Sequence, residues 1–565
     1  MNFTLRASFL IIFAIISKCY SSIESNNSDN FTDGNTANIS LNVYNDIDKN
    51  EQAFSQLMII NANTTVAIKV TDVPLGVKFF IIQIHTYQYN VTLSYDKEFT
   101  PRRYTFGTNI GLVIDIVNGQ NIAPITYVKN DNEVDVQTLF AVVAYAKNAP
   151  VPGGCNMEFD TEIAPYQKLS ITDATVMVDI QPAASPKLKN NELVQCEVNG
   201  LQHDMYRLFL PEQEFTTDTY FSAIQDALTV QGIISKFRKI PASLSGSKMR
   251  RVYSAYPGTG SLYAAVAVMG NNTAAYVPAF TYACSPLYWT DTCQVLTSPF
   301  SKVLCAVALF LGFFTTFVGH KYFKTEMFLL GFLSGGLVSY IIISIVGDYS
   351  PSGNIAISVF LGCLFGLTWL GFWWLYAIPV LSILLATLTL GFFCASIAYF
   401  SSPAGISYLE SDTNFWLMFS LIILCVPLTL SIVPDSANII CCAILGSYAV
   451  VISIDHYVGS NLKYIIINTM RRATSPGFNL AVIYPPYQIK DTCLTFFWLI
   501  LALVGIFIQL KQNRGKPPFP PGMPISFARN RTLPNERTPL LVESRIPTEN
   551  LQDDDDACIY YNIVP

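Results

Sequence analysis

The C-terminal half of the chain alternates long apolar runs with short polar breaks. Seven of these runs approach the length of about 20 residues that crosses the hydrocarbon core of a bilayer. Backbone polar groups inside lipid must be satisfied within their own segment, so each run predicts an α-helix. The seven predicted spans are residues 303–319, 327–347, 355–371, 378–400, 415–432, 437–454 and 492–510.

The N-terminal half has a shorter pattern, in which β-branched and aromatic runs are separated by Asn, Asp, Gly and Pro. Such runs are typical of strands in a β-sandwich. Only the stretch 217–235 has helical spacing. The predicted strands are residues 77–85, 91–95, 111–117, 139–145, 206–210, 252–256 and 261–269.

These patterns predict a multi-domain α and β protein. A β-sandwich-like luminal or extracellular ectodomain is followed by a seven-helix transmembrane bundle. The predicted divisions are a signal peptide (1–19), a first β-rich unit (20–150), a second β-rich unit (151–297), the bundle (298–510) and a disordered cytosolic tail (511–565).

The N-terminal segment has the composition of a secretory signal. Arg6 precedes an apolar run, 7–16, that is too short to span, and Ser17 and Cys19 suit a cleavage site before Tyr20. A retained signal anchor is the alternative. Cleavage places the new N-terminus in the lumen or outside the cell, and seven crossings then place the C-terminus in the cytosol.

The distribution of basic residues agrees with this topology except at one loop. Lys321 and Lys324 follow the first span and are predicted inside, as the positive-inside rule requires. The loop 455–491 is predicted outside although it is basic. We expect its apolar and basic residues to lie on the outer membrane surface. Asp455 is expected to be exposed at the interface, and a polar outer vestibule lined by Asp455 is the alternative. The basic residues of this loop are Lys463, Arg471, Arg472 and Lys490.

Cysteines and glycosylation triplets both indicate an oxidising, glycosylating compartment for the N-terminal half. Four predicted luminal cysteines allow three disulfide pairings, and proximity in sequence favours Cys155–Cys196 and Cys284–Cys293. The six Asn-x-Ser/Thr acceptors in this half are Asn26, Asn30, Asn38, Asn63, Asn90 and Asn271.

The sequence offers little for catalysis. The chain has only four histidines, and a metal site with three histidine ligands needs more than His320 and His456, which lie on predicted opposite faces of the bundle. His85 and His203 are isolated, which is typical of structural histidines. We therefore expect no catalytic, metal or cofactor site and no enzyme activity, and the net charge of -6 argues against nucleic acid as a partner.

Two features leave a choice open. The basic cluster Lys248, Arg250 and Arg251 is interpreted as a solvated edge, with ligand contact as the alternative. Two Gly-x-x-x-Gly motifs, 331–335 and 362–366, predict close helix packing, although glycine kinks also occur in transporters.

The tail contains two candidate sorting signals. Glu536 precedes Leu540 and Leu541 by the spacing of an acidic dileucine signal, and Tyr560 with Ile563 fits the tyrosine-based pattern. Both predict binding to clathrin adaptors. They predict a protein that cycles between the plasma membrane and endosomes or lysosomes.

Several short stretches of the ectodomain, the bundle and the tail carry a resemblance to a known family. They are residues 80–85, 151–156, 158–160, 276–279, 281–284, 319–321, 324–326, 446–448, 454–455 and 536–541. Together they resemble the transmembrane 7 superfamily member 3 family, and the bundle is also similar to transmembrane protein 198. The resemblance implies a plasma-membrane or endomembrane protein associated with cell survival and protein-folding stress.

Rhodopsin-like signatures are lacking, since the third span ends in Gly371-Phe372-Trp373-Trp374 rather than Asp-Arg-Tyr. We therefore expect a receptor-like or scaffold role, with an unknown luminal or extracellular protein partner and with membrane lipid around the bundle. The alternative is a transporter or channel for a small solute or ion.

Overall fold

The computed structural model describes residues 29–31, 36–41, 52–74, 76–116, 124–155, 165–186, 201–244, 249–285, 293, 299–347, 349, 351–376, 379–402, 406–430 and 432–514. Several predicted features lie outside these residues: the signal peptide, Asn26, Cys196, Lys248, Glu536, Leu540, Leu541, Tyr560 and Ile563.

The described strands between residues 29 and 146, the first β-domain, form a sandwich of two five-stranded sheets. The strand orders are β1-β3-β10-β5-β8 and β2-β4-β9-β6-β7. The sandwich core is filled by residues that alternate along the strands, such as Ile39, Ile68, Leu93 and Val128. The strands are β1 (Asp29–Phe31), β2 (Thr36–Ser40), β3 (Gln52–Ile60), β4 (Thr64–Thr71), β5 (Val77–Thr86), β6 (Val91–Ser94), β7 (Tyr104–Gly107), β8 (Asn109–Asp115), β9 (Ile125–Asn130) and β10 (Val136–Ala146).

Strand β5 is buried on both faces, which explains its nearly continuous apolar sequence. Phe80 and Ile82 point into the sandwich core. Phe79 and Ile81 belong to a second cluster shared with the following domain. The two β-domains are thus joined by an apolar interface.

Residues 151–285, the second β-domain, contain a three-stranded sheet, β11-β12-β15, and a larger sheet, β14-β13-β16-β17, with β18 paired to β16. The two sheets enclose a core that includes Val178, Met205 and Tyr253. Two helices pack on the other face of the larger sheet, where helical spacing predicted them. The elements are β11 (Lys168–Ile171), β12 (Thr175–Ile180), β13 (Gln202–Glu212), α1 (Thr217–Asp226), α2 (Val230–Lys236), β14 (Arg238–Leu244), β15 (Met249–Ser254), β16 (Thr259–Met269), β17 (Asn272–Ala275) and β18 (Ala279–Thr281).

Within the described residues, seven helices are long and apolar enough to cross a membrane, which confirms the predicted architecture. They extend a few residues beyond most of the predicted apolar runs, because a helix continues into the interfacial region, where polar residues are tolerated. The spanning helices are α3 (Pro299–Val318), α4 (Phe323–Val346), α5 (Pro351–Tyr376), α6 (Pro379–Phe400), α7 (Asp412–Leu430), α8 (Pro434–Val458) and α10 (Ile489–Asn513); the short helix α9 (Tyr464–Thr474) lies between the last two.

Neighbouring helices of the bundle approach each other closely at glycine residues, as the Gly-x-x-x-Gly motifs predicted. A Cβ added at Gly331 would lie 2.9 Å from the Cα of Gly366, so α4 and α5 touch almost backbone to backbone. Helix α8 is the most buried of the seven. A Cβ added at its Gly446 would lie 2.4 Å from Thr315 Oγ1 of α3.

Candidate functional site

The connection from α8 to α10, residues 459–488, lies between the bundle and the second β-domain. We call this connection, together with the β-domain surface that it contacts, the joint. Its first residue, Gly459, adopts φ +69°, a left-handed conformation that favours glycine, and ends α8. The chain then forms α9, a short turn at Phe478–Leu480, and an extended run that leads into α10.

Buried carboxylates tie the two ends of this connection to the bundle. Asp455 accepts the N–H groups of Ser460 and Lys463. Asp491 accepts the N–H of Asn461 at 2.6 Å and forms a capping box with Gln488 at the start of α10. The expectation that Asp455 is exposed was wrong: it is 1% exposed, because its carboxylate satisfies the backbone groups that follow the helix.

The extended run pairs with the β-domain as an additional strand segment. Val482 forms a parallel bridge with Tyr253 of β15. The Val482 N–H donates to Val252 O at 2.9 Å, and the Ser254 N–H donates to Val482 O at 3.3 Å. Main-chain pairing of this kind fixes register and orientation between two units.

Helix α9 presents polar side chains to the same edge of the domain. Ser254 Oγ donates to Asn468 Oδ1 at 3.0 Å. The guanidinium of Arg471 donates to Ala255 O at 2.6 Å and to Asp173 O at 3.0 Å. Burial lowers the pKa of Arg471. These contacts correct the expectation that the loop lies on the membrane surface, since the β-domain covers much of it.

Aromatic side chains continue the contact into the bundle. The rings of Tyr256 and Tyr464 meet edge to face with centroids 4.7 Å apart. Tyr256 belongs to one apolar cluster with Phe393 and Tyr448, which line the helices below it. Arg207 stacks 4.1 Å over Phe209 and donates to a backbone carbonyl of the connection. No gap therefore separates the folded β-domain from the helix core at this point.

An ion pair completes the joint. Lys463 Nζ lies 2.9 Å from Glu212 Oε1, and Glu212 is 5% exposed. Burial raises the pKa of Glu212, Lys463 opposes this, and Asp455 and Asp491 add to it. Glu212 thus interacts with one lysine and with two further carboxylates at the junction between the β-domain and the bundle.

A second polar group lies inside the bundle at the end away from the joint. Asn438 of α8 donates to Glu326 Oε2 of α4 at 2.8 Å. His320 Nδ1 lies 3.1 Å from Gln509 Oε1, whose amide donates to Thr316 O at 2.6 Å. These hydrogen bonds link α4 to α8, and the C-terminal end of α3 to α10. Within the described residues, no group of three or more His, Cys, Asp or Glu side chains is arranged to hold a metal ion.

The predicted ectodomain sites are distributed over the two β-domains and do not converge. The acceptors Asn38, Asn63, Asn90 and Asn271 have exposed side chains, and Asn30 lies in β1. The Cys284–Cys293 disulfide is present. Cys155 is also disulfide-bonded, and its predicted partner lies outside the described residues.

Both isolated histidines have structural positions. His203 Nε2 accepts the Ala183 N–H at 3.0 Å, and His85 Nδ1 lies 2.8 Å from Asn109 Oδ1. Burial lowers the pKa of each to about 4. The basic cluster is divided: Arg250 pairs with Asp179 at 2.7 Å, whereas part of Arg251 is buried. The interpretation of Arg251 as solvated was therefore incomplete.

Comparison with known proteins gives a consistent result for all three parts of the chain. Residues 45–145 match the model "TM7SF3-like, N-terminal immunoglobulin-like domain", and residues 150–287 match "TM7SF3-like, second immunoglobulin-like domain". Residues 305–510 match "TM7S3/TM198-like domain".

Three relatives carry the same name, transmembrane 7 superfamily member 3. The human protein is 31% identical over 459 residues, 80% of each chain. The rat protein is 32% identical over 455 residues, 79% of this chain and 80% of the relative. The mouse protein is 29% identical over 521 residues, 91% of this chain and 89% of the relative. The chain therefore belongs to the transmembrane 7 superfamily member 3 family.

Proposed function

We propose that the protein is a non-enzymatic, receptor-like membrane protein. In this proposal, an extracellular or luminal protein binds the ectodomain, and the joint passes the effect of binding to the helices. The joint carries the proposal because it combines strand pairing at Val482, hydrogen bonds from Arg471 and the ion pair between Glu212 and Lys463. A β-domain on a flexible tether has no such route to the bundle.

The test begins with proximity labelling from the ectodomain in living cells to identify secreted or luminal candidates. Each purified candidate is then titrated onto the full-length protein in lipid nanodiscs, with hydrogen exchange measured in α8 and α10. We expect one candidate to bind saturably and to change exchange in these helices, and the Arg471→Gln variant to bind it without that change. Binding that leaves the helices of the unmodified protein unaffected would support a scaffold instead.

Solute or ion transport is the second candidate function, and the buried pair of Glu326 and Asn438 favours it. Ionisable residues within spans often mark ion or substrate routes. The test is flux through liposomes containing the purified protein. If the protein transports a solute by this route, flux should exceed that of empty liposomes and should fall in the Glu326→Gln variant. If no flux is measured under ion or pH gradients, transport of the solutes tried is excluded.

The cellular part of the proposal follows from the sequence signals and the resemblance. The N-terminus is proposed to face the lumen or the exterior, and the protein to cycle between the plasma membrane and endosomes or lysosomes through clathrin adaptors. Four acceptor asparagines with exposed side chains are compatible with glycans. Glycosidase treatment should then change the electrophoretic mobility of the protein. Loss of this change in Asn→Gln variants of the acceptor residues would support this orientation.

The resemblance also suggests a role in cell survival during protein-folding stress. Cells that lack the protein are then expected to survive tunicamycin less well, and re-expression should restore survival. Equal survival with and without the protein would remove this part of the proposal.

A further inference from the structure

A cleft opens beside the joint, where the second β-domain meets the ends of α6 and α9. It encloses about 490 Å³, including the part open to solvent. Arg251 of β15 and Arg472 of α9 line it from two sides. Tyr399 of α6 and Ser402 just beyond it also line the cleft, together with the apolar residues Ile406, Leu409, Leu480 and Ile483.

The guanidinium of Arg472 is held firmly in this cleft. Its side chain is only 2% exposed. Its Nη2 donates to Leu409 O at 3.1 Å and pairs with Asp412 at 2.8 Å, and its plane lies 4.7 Å from the ring centre of Phe415. Its Nε is buried and makes no hydrogen bond with any part of the chain that the structure describes.

Arg251, which comes from the β-domain, also lines the cleft and is partly buried. Its Nη2 donates to Pro241 O at 3.2 Å, whereas its Nε is buried and has no hydrogen-bond partner within the described ranges. A buried donor without a partner is destabilising, and more so when it is charged. The two residues therefore bring to one cleft guanidinium groups whose donors the described chain uses only in part.

We propose that this cleft binds a phosphate group, as a phosphomonoester or phosphodiester. Guanidinium groups match tetrahedral oxyanions in charge and in donor geometry, and their hydrogen bonds to such anions are the stronger, charge-assisted kind. One carboxylate, that of Glu410, also lines the cleft and is exposed to solvent, whereas the nearby Asp412 is engaged with Nη2 of Arg472. Neither guanidinium therefore has all of its N–H donors used by the described chain.

The position of the cleft points to the surface of the membrane. Helix α6 ends at Phe400 and α7 begins at Asp412, so the cleft lies at the level where these spans leave the hydrocarbon. A lipid phosphate reaches this level with its acyl chains in the bilayer, and the apolar wall of the cleft suits their upper carbons. A free phosphate or a soluble phosphoester has the same recognition chemistry without the chains.

The experiment compares these sources on the full-length protein. In detergent, native mass spectrometry compares the binding of phosphatidic acid with that of diacylglycerol carrying the same acyl chains. Thermal unfolding is measured in inorganic phosphate and, for comparison, in chloride at equal ionic strength. Arg251→Gln is the test variant, because Arg251 makes fewer structural contacts than Arg472. Arg250→Gln, the adjacent residue paired with Asp179, is the matched control.

We expect one phosphatidic acid to bind per chain and diacylglycerol not to bind, with affinity about tenfold or more lower in Arg251→Gln, the loss of one charge-assisted hydrogen bond. Arg250→Gln should bind as the unmodified protein does. Arg251-dependent stabilisation by inorganic phosphate without lipid binding would support a soluble phosphate ligand. Failure of both ligands to bind, or binding that Arg251→Gln leaves unchanged, overturns the proposal.

Discussion

Lys463 Nζ and Glu212 Oε1 lie 2.9 Å apart, although 251 positions separate them in the chain. Glu212 ends β13, and Lys463 directly precedes α9. The pair therefore joins the second β-domain to a connection within the bundle. The side chain of Glu212 is 3% exposed and that of Lys463 is 21% exposed, so water screens the pair poorly.

Replacing Lys463 with Met leaves the Glu212 carboxylate buried beside two other carboxylates. Removing one partner of a buried pair typically costs about 3–5 kcal/mol. We expect a loss near the lower limit, since Lys463 is partly exposed, with faster hydrogen exchange in β15 and α9. The matched control is Lys129→Met, whose pair with Asp131 is exposed and should cost less than about 1 kcal/mol.

A double variant separates coupling from a general effect of the substitution. Glu212→Gln together with Lys463→Met should lose less stability than the sum of the single variants, because no uncompensated charge remains. Strict additivity would show that the ion pair does not hold the joint.

Acidification should destabilise the β-domains through their two buried histidines. The pKa of His203 falls from 6.5 to about 4 on burial, and that of His85 does the same. Between these values the unfolded chain binds protons that the native state does not bind, so stability is present above pH 6.5 and is lost as pH falls toward 4. Each histidine accounts for up to about 3 kcal/mol.

Unfolding midpoints of the full chain in nanodiscs at pH 7.5, 6 and 5 measure this loss. His203→Gln keeps an acceptor for the Ala183 N–H and removes the titrating group, so its midpoint should depend less on pH. An equal dependence in both proteins would assign the effect to other groups. Glu212 acts in the opposite direction, because burial raises its pKa and favours the protonated native form at low pH.

The bundle offers a matched pair of glycines in a single helix. A Cβ at Gly366 would lie 2.8 Å from Phe328 O of the neighbouring helix, whereas a Cβ at Gly371 meets no described atom within 4 Å. Gly366→Ala should therefore cost about 1–3 kcal/mol through overpacking, and Gly371→Ala less than about 0.5 kcal/mol. Thermal unfolding in nanodiscs measures both; equal effects would contradict the proposed close packing of α4 and α5.

The spans and most strands were predictable because lipid and a sandwich core impose local patterns of length and alternation. The joint was not predictable by these means. Arg471 and its apolar neighbours have the composition of a helix on a membrane surface, and the partners that bury them, Ser254 and Ala255, lie more than 200 positions away. Val482 pairs as a strand through its backbone alone, which leaves no trace in residue type.

Asp455 shows at a single position that the local sequence pattern does not determine burial. A carboxylate at the end of an apolar run is usually exposed, and only the turn that follows it determines that this one is buried. The cleft arginines are a further case: basic residues in sequence do not reveal which of their nitrogen atoms lack a partner.

The predicted sorting function of the tail is tested by replacing Leu540 and Leu541 with Ala. An acidic dileucine peptide binds an adaptor by placing two leucines in an apolar pocket and its charges at the rim, and Pro539 reduces the entropy lost on binding. The signal begins about 25 residues beyond α10, within reach of an adaptor at the membrane. Surface biotinylation should therefore show a higher surface fraction in the variant.

Replacing Pro547 with Ala outside the signal is the control and should leave the surface fraction unchanged. The Tyr560→Ala variant, alone and combined with the dileucine change, shows whether the tyrosine-based pattern contributes. If the surface fraction stays the same after all three substitutions, neither signal sorts the protein, and a cycle through endosomes would then require a determinant in the ectodomain or the bundle.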